Sequence, residues 1–260
     1  MVLFAQVYFS KMQQSDMSRR KEVRYVASVS FGKDSLAMLL RLISEGKPLD
    51  EVVFYDTGME FDCIYKIRDF IVANYLKPLG IKYTELKPKD PFEYMMFEKK
   101  VHHRDGKVSL GYSWCGGACR WGTAYKTQAI NKLLKGCNVY VGIASDEPKR
   151  VEIAKAKGQL LPLVEWHMTE YDCLQYCYQS GFNWLEDGIN LYNILDRVSC
   201  WCCANKNKKE LLAYYQYLPR YWSKLKDYQS KTYRPFKKDK TIRDLEKEFK
   251  EMGCTCLMNL

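Results

Sequence analysis

From Tyr25 the chain alternates between two hydrophobic periods. Tyr25-Val26-Ala27-Ser28-Val29 is a short β-branched run that predicts a strand, and from Leu36 to Ile43 apolar residues recur at the spacing of a helix lying on a core. Between them, Ser30 to Asp34 is a glycine-containing turn. The unit repeats as strand Glu51 to Asp56, helix Phe61 to Leu76, strand Ile81 to Leu86, helix Lys126 to Leu134 and strand Asn138 to Ala144. Leu160 to Val164 predicts a last strand and Glu170 to Ser180 a further helix. Such alternation predicts an α/β fold with a doubly wound, mostly parallel sheet, because right-handed crossovers lay each helix against the sheet. Beyond Asn205 the period becomes helical, with helices at Lys208 to Asp227 and Thr241 to Met252 joined by a Lys/Pro linker. Three regions follow: an N-terminal extension (1–22), an α/β domain (23–204) and a basic helical C-terminal region (205–260). Pro88 to Gly122 interrupts the α/β pattern with a polar, aromatic, glycine-rich insertion carrying His102, His103, Cys115 and Cys119. Insertions of this kind are where sites are usually built.

Composition narrows the setting. At 260 residues and 47% hydrophobic content the chain can bury a full core. No apolar run approaches the ~20 residues of a membrane-spanning helix, and Met1 to Phe9 lacks a secretory pattern, so a cytoplasmic protein without a membrane partner is expected. Eleven cysteines in a reducing compartment point to metal or redox chemistry rather than a disulfide framework. The formal net charge is +10, and between Asn205 and Lys250 there are 14 basic and 6 acidic residues. Two readings of that segment stand open: a solvated lysine-rich helical face, or a contact surface for a nucleic acid.

The turn Ser30-Phe31-Gly32-Lys33-Asp34-Ser35 lies after a strand and before a helix. Gly32 is expected to let the backbone curl so that the amides of Gly32 to Ser35 and the helix dipole converge on an anion. Lys33 adds a point charge, Ser30 and Ser35 add hydroxyl donors, and Asp34 is suited to hold Mg²⁺ beside a pyrophosphate. The alternative is an ordinary strand-to-helix turn in which Asp34 or Ser35 caps the helix. Cys115 and Cys119 stand four apart, and Cys200 and Cys203 three apart, spacings that bring paired thiolates to one face of a helical turn. Four thiolates suit structural Zn²⁺ or a [4Fe-4S] cluster; the alternative is that these are small buried hydrophobes.

Four motifs in order carry a resemblance. Ser30 to Ser35 resembles the pyrophosphate loop (PP-loop) of the adenine-nucleotide α-hydrolase superfamily. Asp56-Thr57-Gly58-Met59-Glu60-Phe61, Pro162-Leu163-Val164-Glu165-Trp166, and Leu191-Tyr192 followed by Arg197-Val198-Ser199-Cys200-Trp201-Cys202-Cys203 resemble segments of the phosphoadenosine phosphosulfate reductase (PAPS reductase) branch. The resemblance covers about Tyr25 to Leu212 and implies an enzyme acting on an adenine nucleotide, either ATP or a sulfonucleotide (PAPS or APS). It implies nucleotide contacts from Ser30, Phe31, Gly32, Lys33, Asp34 and Ser35, with Lys33 and Asp34 catalytic, and from Asp56 and Thr57 beside the adenosine. Gly142 to Arg150 takes the place of the loop after the fourth strand, where Lys149 and Arg150 either clamp an anion or are solvated. It implies that Cys115, Cys119, Cys200 and Cys203 hold a [4Fe-4S] cluster ahead of Zn²⁺, with the roles of Cys202, Cys254 and Cys256 open.

Sulfonucleotide reductases carry a C-terminal Glu-Cys-Gly-(Ile/Leu)-His motif, and this chain instead has Glu251-Met252-Gly253-Cys254-Thr255-Cys256. Relatives without that motif include enzymes that adenylate with ATP and insert sulfur into a nucleic acid, so the resemblance together with the basic charge implies ATP-dependent adenylation and sulfur transfer, with a nucleic acid as acceptor, as the leading expectation. Sulfonucleotide reduction through a C-terminal cysteine comes second, and a non-catalytic nucleotide-binding or partner-binding module third.

Overall fold

The computed structural model describes residues 23–115 and 119–257; the expected extension 1–22 lies outside them. In chain order the elements are β1 (Tyr25–Ser28), α1 (Lys33–Ser44), β2 (Glu51–Tyr55), α2 (Asp62–Ile71), β3 (Lys82–Leu86), β4 (Lys100–His102), β5 (Val108–Leu110), α3 (Tyr125–Leu133) and β6 (Asn138–Val141). They continue as α4 (Pro148–Ala156), α5 (Pro162–Glu165), α6 (Glu170–Gln179), β7 (Leu185–Glu186), β8 (Ile189–Asn190), α7 (Lys208–Tyr217), α8 (Pro219–Ser230) and α9 (Ile242–Leu257).

The chain divides into two compact units. The first takes the described residues up to Tyr55 with Ile64–Leu86 and Gln128–Asn183, and the second takes Asp56–Cys63, Lys87–Thr127 and the chain from Trp184 onward.

The first unit is the expected α/β fold. Its four strands are all parallel, in the order β3-β2-β1-β6. Val26 and Val53 bury one sheet face under Ile130, Leu133 and Leu134, while α1 packs against α6. The order steps outward from β1 to β3 and then returns to the other side of β1 as β6. That reversal opens a crevice beyond the carboxyl ends of β1 and β6, the place where open α/β sheets bind ligands. The expected strand Leu160 to Val164 reduces to a single parallel bridge between Tyr140 and Leu160. Pro162 has no amide to extend a ladder and instead starts the short helix α5.

The second unit is helical and aromatic. The expected single helix from Lys208 to Asp227 is broken between Tyr217 and Pro219: the proline forces Leu218 out of helical geometry, to φ −126° and ψ 59°. A capping box between Asn207 and Glu210 starts α7. Trp201 packs edge-on against Tyr228 at 5.1 Å between ring centroids, and Phe61 against Tyr221 at 4.9 Å. Arg220 ties this layer together, donating to Asp62 at 2.7 Å and to Glu186 at 2.5 Å. Helix α9 runs on through Cys254 and Cys256 to Leu257; their side chains lie outside the described part. Among the described residues no helix is long and apolar enough to cross a membrane.

Candidate functional site

In the first unit β1 runs into the turn Ser30–Gly32 and then into α1. The curl falls on Phe31, not on Gly32 as the sequence led us to expect. Phe31 sits at φ 58°, whereas Gly32 is an extended N-cap at φ −77° and ψ 167°. A left-handed non-glycine residue costs about 1–2 kcal/mol. Here the cost is offset because the Phe31 ring is fully buried, edge-on to Phe54 at 5.2 Å. Phe31 therefore shapes the loop from beneath rather than facing a ligand. Ser35 Oγ accepts from the Ser30 amide at 3.1 Å and lies 3.0 Å from Ser30 Oγ. Gly32 brings no side-chain cap to α1, so no side chain covers the positive end of the helix, an arrangement suited to an anion.

Beneath the turn, Lys33 is 6% exposed and its Nζ donates to Asp34 Oδ1 and Glu170 Oε2, both at 2.7 Å. Burial pulls the Lys33 pKa down, but the charges and hydrogen bonds of Asp34 and Glu170 outweigh it and the pKa rises above the ordinary lysine value. Asp34 is also raised, first by burial and then by the charges of Glu170 and Glu147, against the pull of Lys33. One ammonium thus faces a surplus of carboxylate charge, the donor set that suits a hard cation such as Mg²⁺ carried in with a polyphosphate.

Gly142, just past β6, fixes how closely the crevice closes: a Cβ there would stand 2.7 Å from Ser35 Cα and 2.9 Å from Ser35 N. Arg150 is exposed and donates to Glu147 at 2.5 and 2.6 Å, so here it is held by a neighbouring carboxylate. Lys149 is exposed.

Asp56 and Thr57 fold with the second unit. Asp56 Oδ1 accepts the Gly58 amide at 2.8 Å. Thr57 Oγ1 donates to Glu60 at 2.8 Å and lies 3.4 Å from Cys200 Sγ. The cysteine pair Cys200 and Cys203 sits on a turn rather than a helix, closed by Cys203 N donating to Cys200 O at 3.1 Å, because the Trp201 amide is drawn off to Met59 O at 2.9 Å. Burial pushes the Cys200 thiol up, and the Glu60 charge adds to it. Cys202, whose role the sequence left open, is 4% exposed; its thiol is raised by burial and then by Cys200, Cys203 and Cys119. Cys119, Cys200 and Cys203 are therefore each within electrostatic reach of Cys202. Among the described residues no three His, Cys, Asp or Glu side chains are gathered in metal-binding geometry. His102 is exposed on β4, and His103 shares a 2.8 Å hydrogen bond with Ser109.

The surroundings of the cysteine turn fit a thiolate-bound metal group. Tyr214 Oη, which feels the charges of Cys202 and Cys203, is buried without a hydrogen-bond partner and can donate to anionic sulfur. Lys206, 3% exposed, donates to Ser199 at 3.3 Å and lies over the Tyr214 ring at 5.2 Å. Burial lowers its pKa, and Glu210 and the cysteines work against that. Glu170, Glu60, Lys206 and Tyr214 were missed in the sequence. Glu60 stood within the Asp56–Phe61 motif with no role assigned to it, and Glu170 had a local signal in the capping box of Thr169 and Asp172 that starts its helix.

Three comparisons bear on this arrangement. The model of the phosphoadenosine phosphosulfate reductase domain matches residues 24–184. An uncharacterized protein of Methanocaldococcus jannaschii is 26% identical over 226 residues, covering 79% of this chain; the chain spans 42% of that relative's length. The solved structure of U34-tRNA thiolase NcsA from Methanococcus maripaludis, with its [4Fe-4S] cluster, is similar over 88% of this chain and 78% of its own, at 12% identity and a TM-score of 0.41.

Proposed function

Because the chain belongs to the phosphoadenosine phosphosulfate reductase domain family, we propose that it binds ATP at the Ser30–Ser35 turn and uses adenylation to drive sulfur transfer onto a nucleic acid. The observation that carries this reading is the uncapped start of α1 above the Lys33, Asp34 and Glu170 cluster. The helix end and the turn amides would hold the pyrophosphate portion of ATP, with Ser30 as a further donor. An acceptor oxygen would attack the α-phosphorus as the bond to pyrophosphate breaks, and Lys33 would neutralise charge growing on the leaving group. Asp34, with Glu170 beside it, would hold Mg²⁺. Cys119, Cys200 and Cys203, completed by Cys115 or Cys202, would hold a [4Fe-4S] cluster or Zn²⁺. Such a cluster supplies a place for sulfur to bind before transfer. Tyr214 and Lys206 would donate to its anionic sulfur, and Glu60 with Thr57 would orient Cys200.

The test is product analysis with anaerobically purified protein. Release of pyrophosphate from ATP, lost in Asp34→Ala, is the expected result. Sulfite released from a sulfonucleotide with a thiol reductant would replace this reading with the reductase. Tight nucleotide binding with neither product would replace it with a binding module.

A further inference from the structure

The second unit has an open cleft of about 600 Å³ on its basic C-terminal part, lined among others by Gln229, Thr232, Tyr233, Arg234, Asp239 and Arg243. Its floor is rigidly tied. Gln229 Nε2 donates to Arg234 O at 2.9 Å, Gln229 Oε1 accepts the Phe236 amide at 3.0 Å, and the Arg234 amide donates to the fully buried Ser113 at 3.2 Å. Phe236 anchors the same loop edge-on to Trp114 at 4.7 Å. Thr241 is used up in capping α9, where it accepts the Asp244 amide at 3.2 Å. The backbone and small polar groups are thus satisfied within the protein. What the cleft offers outward is the ring of Tyr233, 52% exposed, and the exposed side chains of Arg234, Arg243 and Asp239, two guanidiniums against one carboxylate. Arg234 lies 5.4 Å from the Tyr233 ring centroid, and Tyr233 Oη accepts from Ser109 at 3.4 Å, so ring and cation are held as one fixed group.

A flat exposed ring beside two guanidiniums and a single carboxylate is a net positive lining that matches the needs of a base with its flanking phosphates. The volume is that of a small-ligand site, too small for a duplex. Lys238 is exposed next to the cleft residue Asp239, while Lys240 is paired with Glu248 at 2.8 Å. The 14 basic against 6 acidic residues between Asn205 and Lys250 favour a polyanionic strand over a free nucleotide. We propose that this cleft takes one unpaired nucleotide of a single-stranded nucleic acid, the base stacked on Tyr233 and the adjoining phosphates held by Arg234 and Arg243. The proposal rests on the nucleic-acid acceptor of the preceding section and adds where, and in what form, the strand is held.

The test is fluorescence anisotropy with a labelled single-stranded RNA and a hairpin bearing an unpaired loop, at several salt concentrations, using the full chain. Arg234→Ala with Arg243→Ala should weaken binding and flatten the plot of log affinity against log salt by about 1.4, since each phosphate contact to a single strand contributes about 0.7. Tyr233→Ala should weaken binding about tenfold at every salt concentration, leaving the slope unchanged, as stacking does. These are exposed side chains, and unchanged circular dichroism would verify that the variants are folded. Equal binding by all variants would overturn the cleft while leaving the nucleic-acid acceptor standing. A perfect duplex binding as well as the hairpin, or AMP displacing the strand at equal concentration, would overturn the unpaired-strand assignment. A wild-type protein that ignores both the RNA and a DNA strand of the same sequence at low salt would overturn the acceptor reading and the cleft with it.

Discussion

Replacing Gly142 by alanine should damage the fold and the phosphate turn together. The added Cβ would meet Ser35 Cα at 2.7 Å, Ser35 N at 2.9 Å and Asp34 C at 3.0 Å, all main-chain atoms. Relaxed carbon contacts lie near ~3.5–4.0 Å, so about 0.5–1 Å of backbone movement is required. No flexible side chain can absorb it. The first turn of α1 is held by buried Leu36, Ala37, Met38 and Leu39, and β6 is held by its ladder to β1. Overpacking of this kind costs about 1–3 kcal/mol. For a chain of this size that corresponds to a fall in Tm of roughly 3–10 °C. ATP affinity should drop further, by tenfold or more, because the displaced atoms belong to the turn itself. Thermal unfolding by circular dichroism and calorimetric titration with ATP measure the two effects. An alanine variant with wild-type Tm and wild-type ATP affinity would refute the close approach of β6 to α1 as a determinant of the site.

Two further outcomes follow from buried groups. Phe31→Gly removes the left-handed strain but also a fully buried ring; loss of the ring costs about 3–5 kcal/mol and relief of strain returns about 1–2, so a net loss near 2–3 kcal/mol is expected in chemical denaturation. A neutral or stabilised variant would show that strain dominates. Lys206→Met should make the proposed metal centre lose its metal to a chelator about 10- to 100-fold more readily, as loss of a supporting charge does. Unchanged retention would leave Lys206 as packing alone.

Much of the first unit could be read from residue order. The strand and helix periods placed β1, α1, β2, β3, α3, β6 and α6, because burial on a sheet face or helix stripe imposes periods that neighbouring residues carry themselves. Pro219 also carried its own message, since a proline breaks a helix whatever surrounds it, yet the apolar period ran across it and hid the break. The Ser30–Ser35 turn was legible as a motif, but its mechanism was not: that Phe31 rather than Gly32 bends the chain depends on Phe54, a residue on the next strand. Likewise Glu170 reaches Lys33 across 137 residues, and Cys200 meets Thr57 and Glu60 across 143 and 140. Local periodicity reports only which face of an element is buried. Which charges and sulfurs then meet is decided by strand order and helix packing, so the part played by Glu170 and Lys206, and the surroundings of Glu60 and Cys202, became visible only in the folded chain.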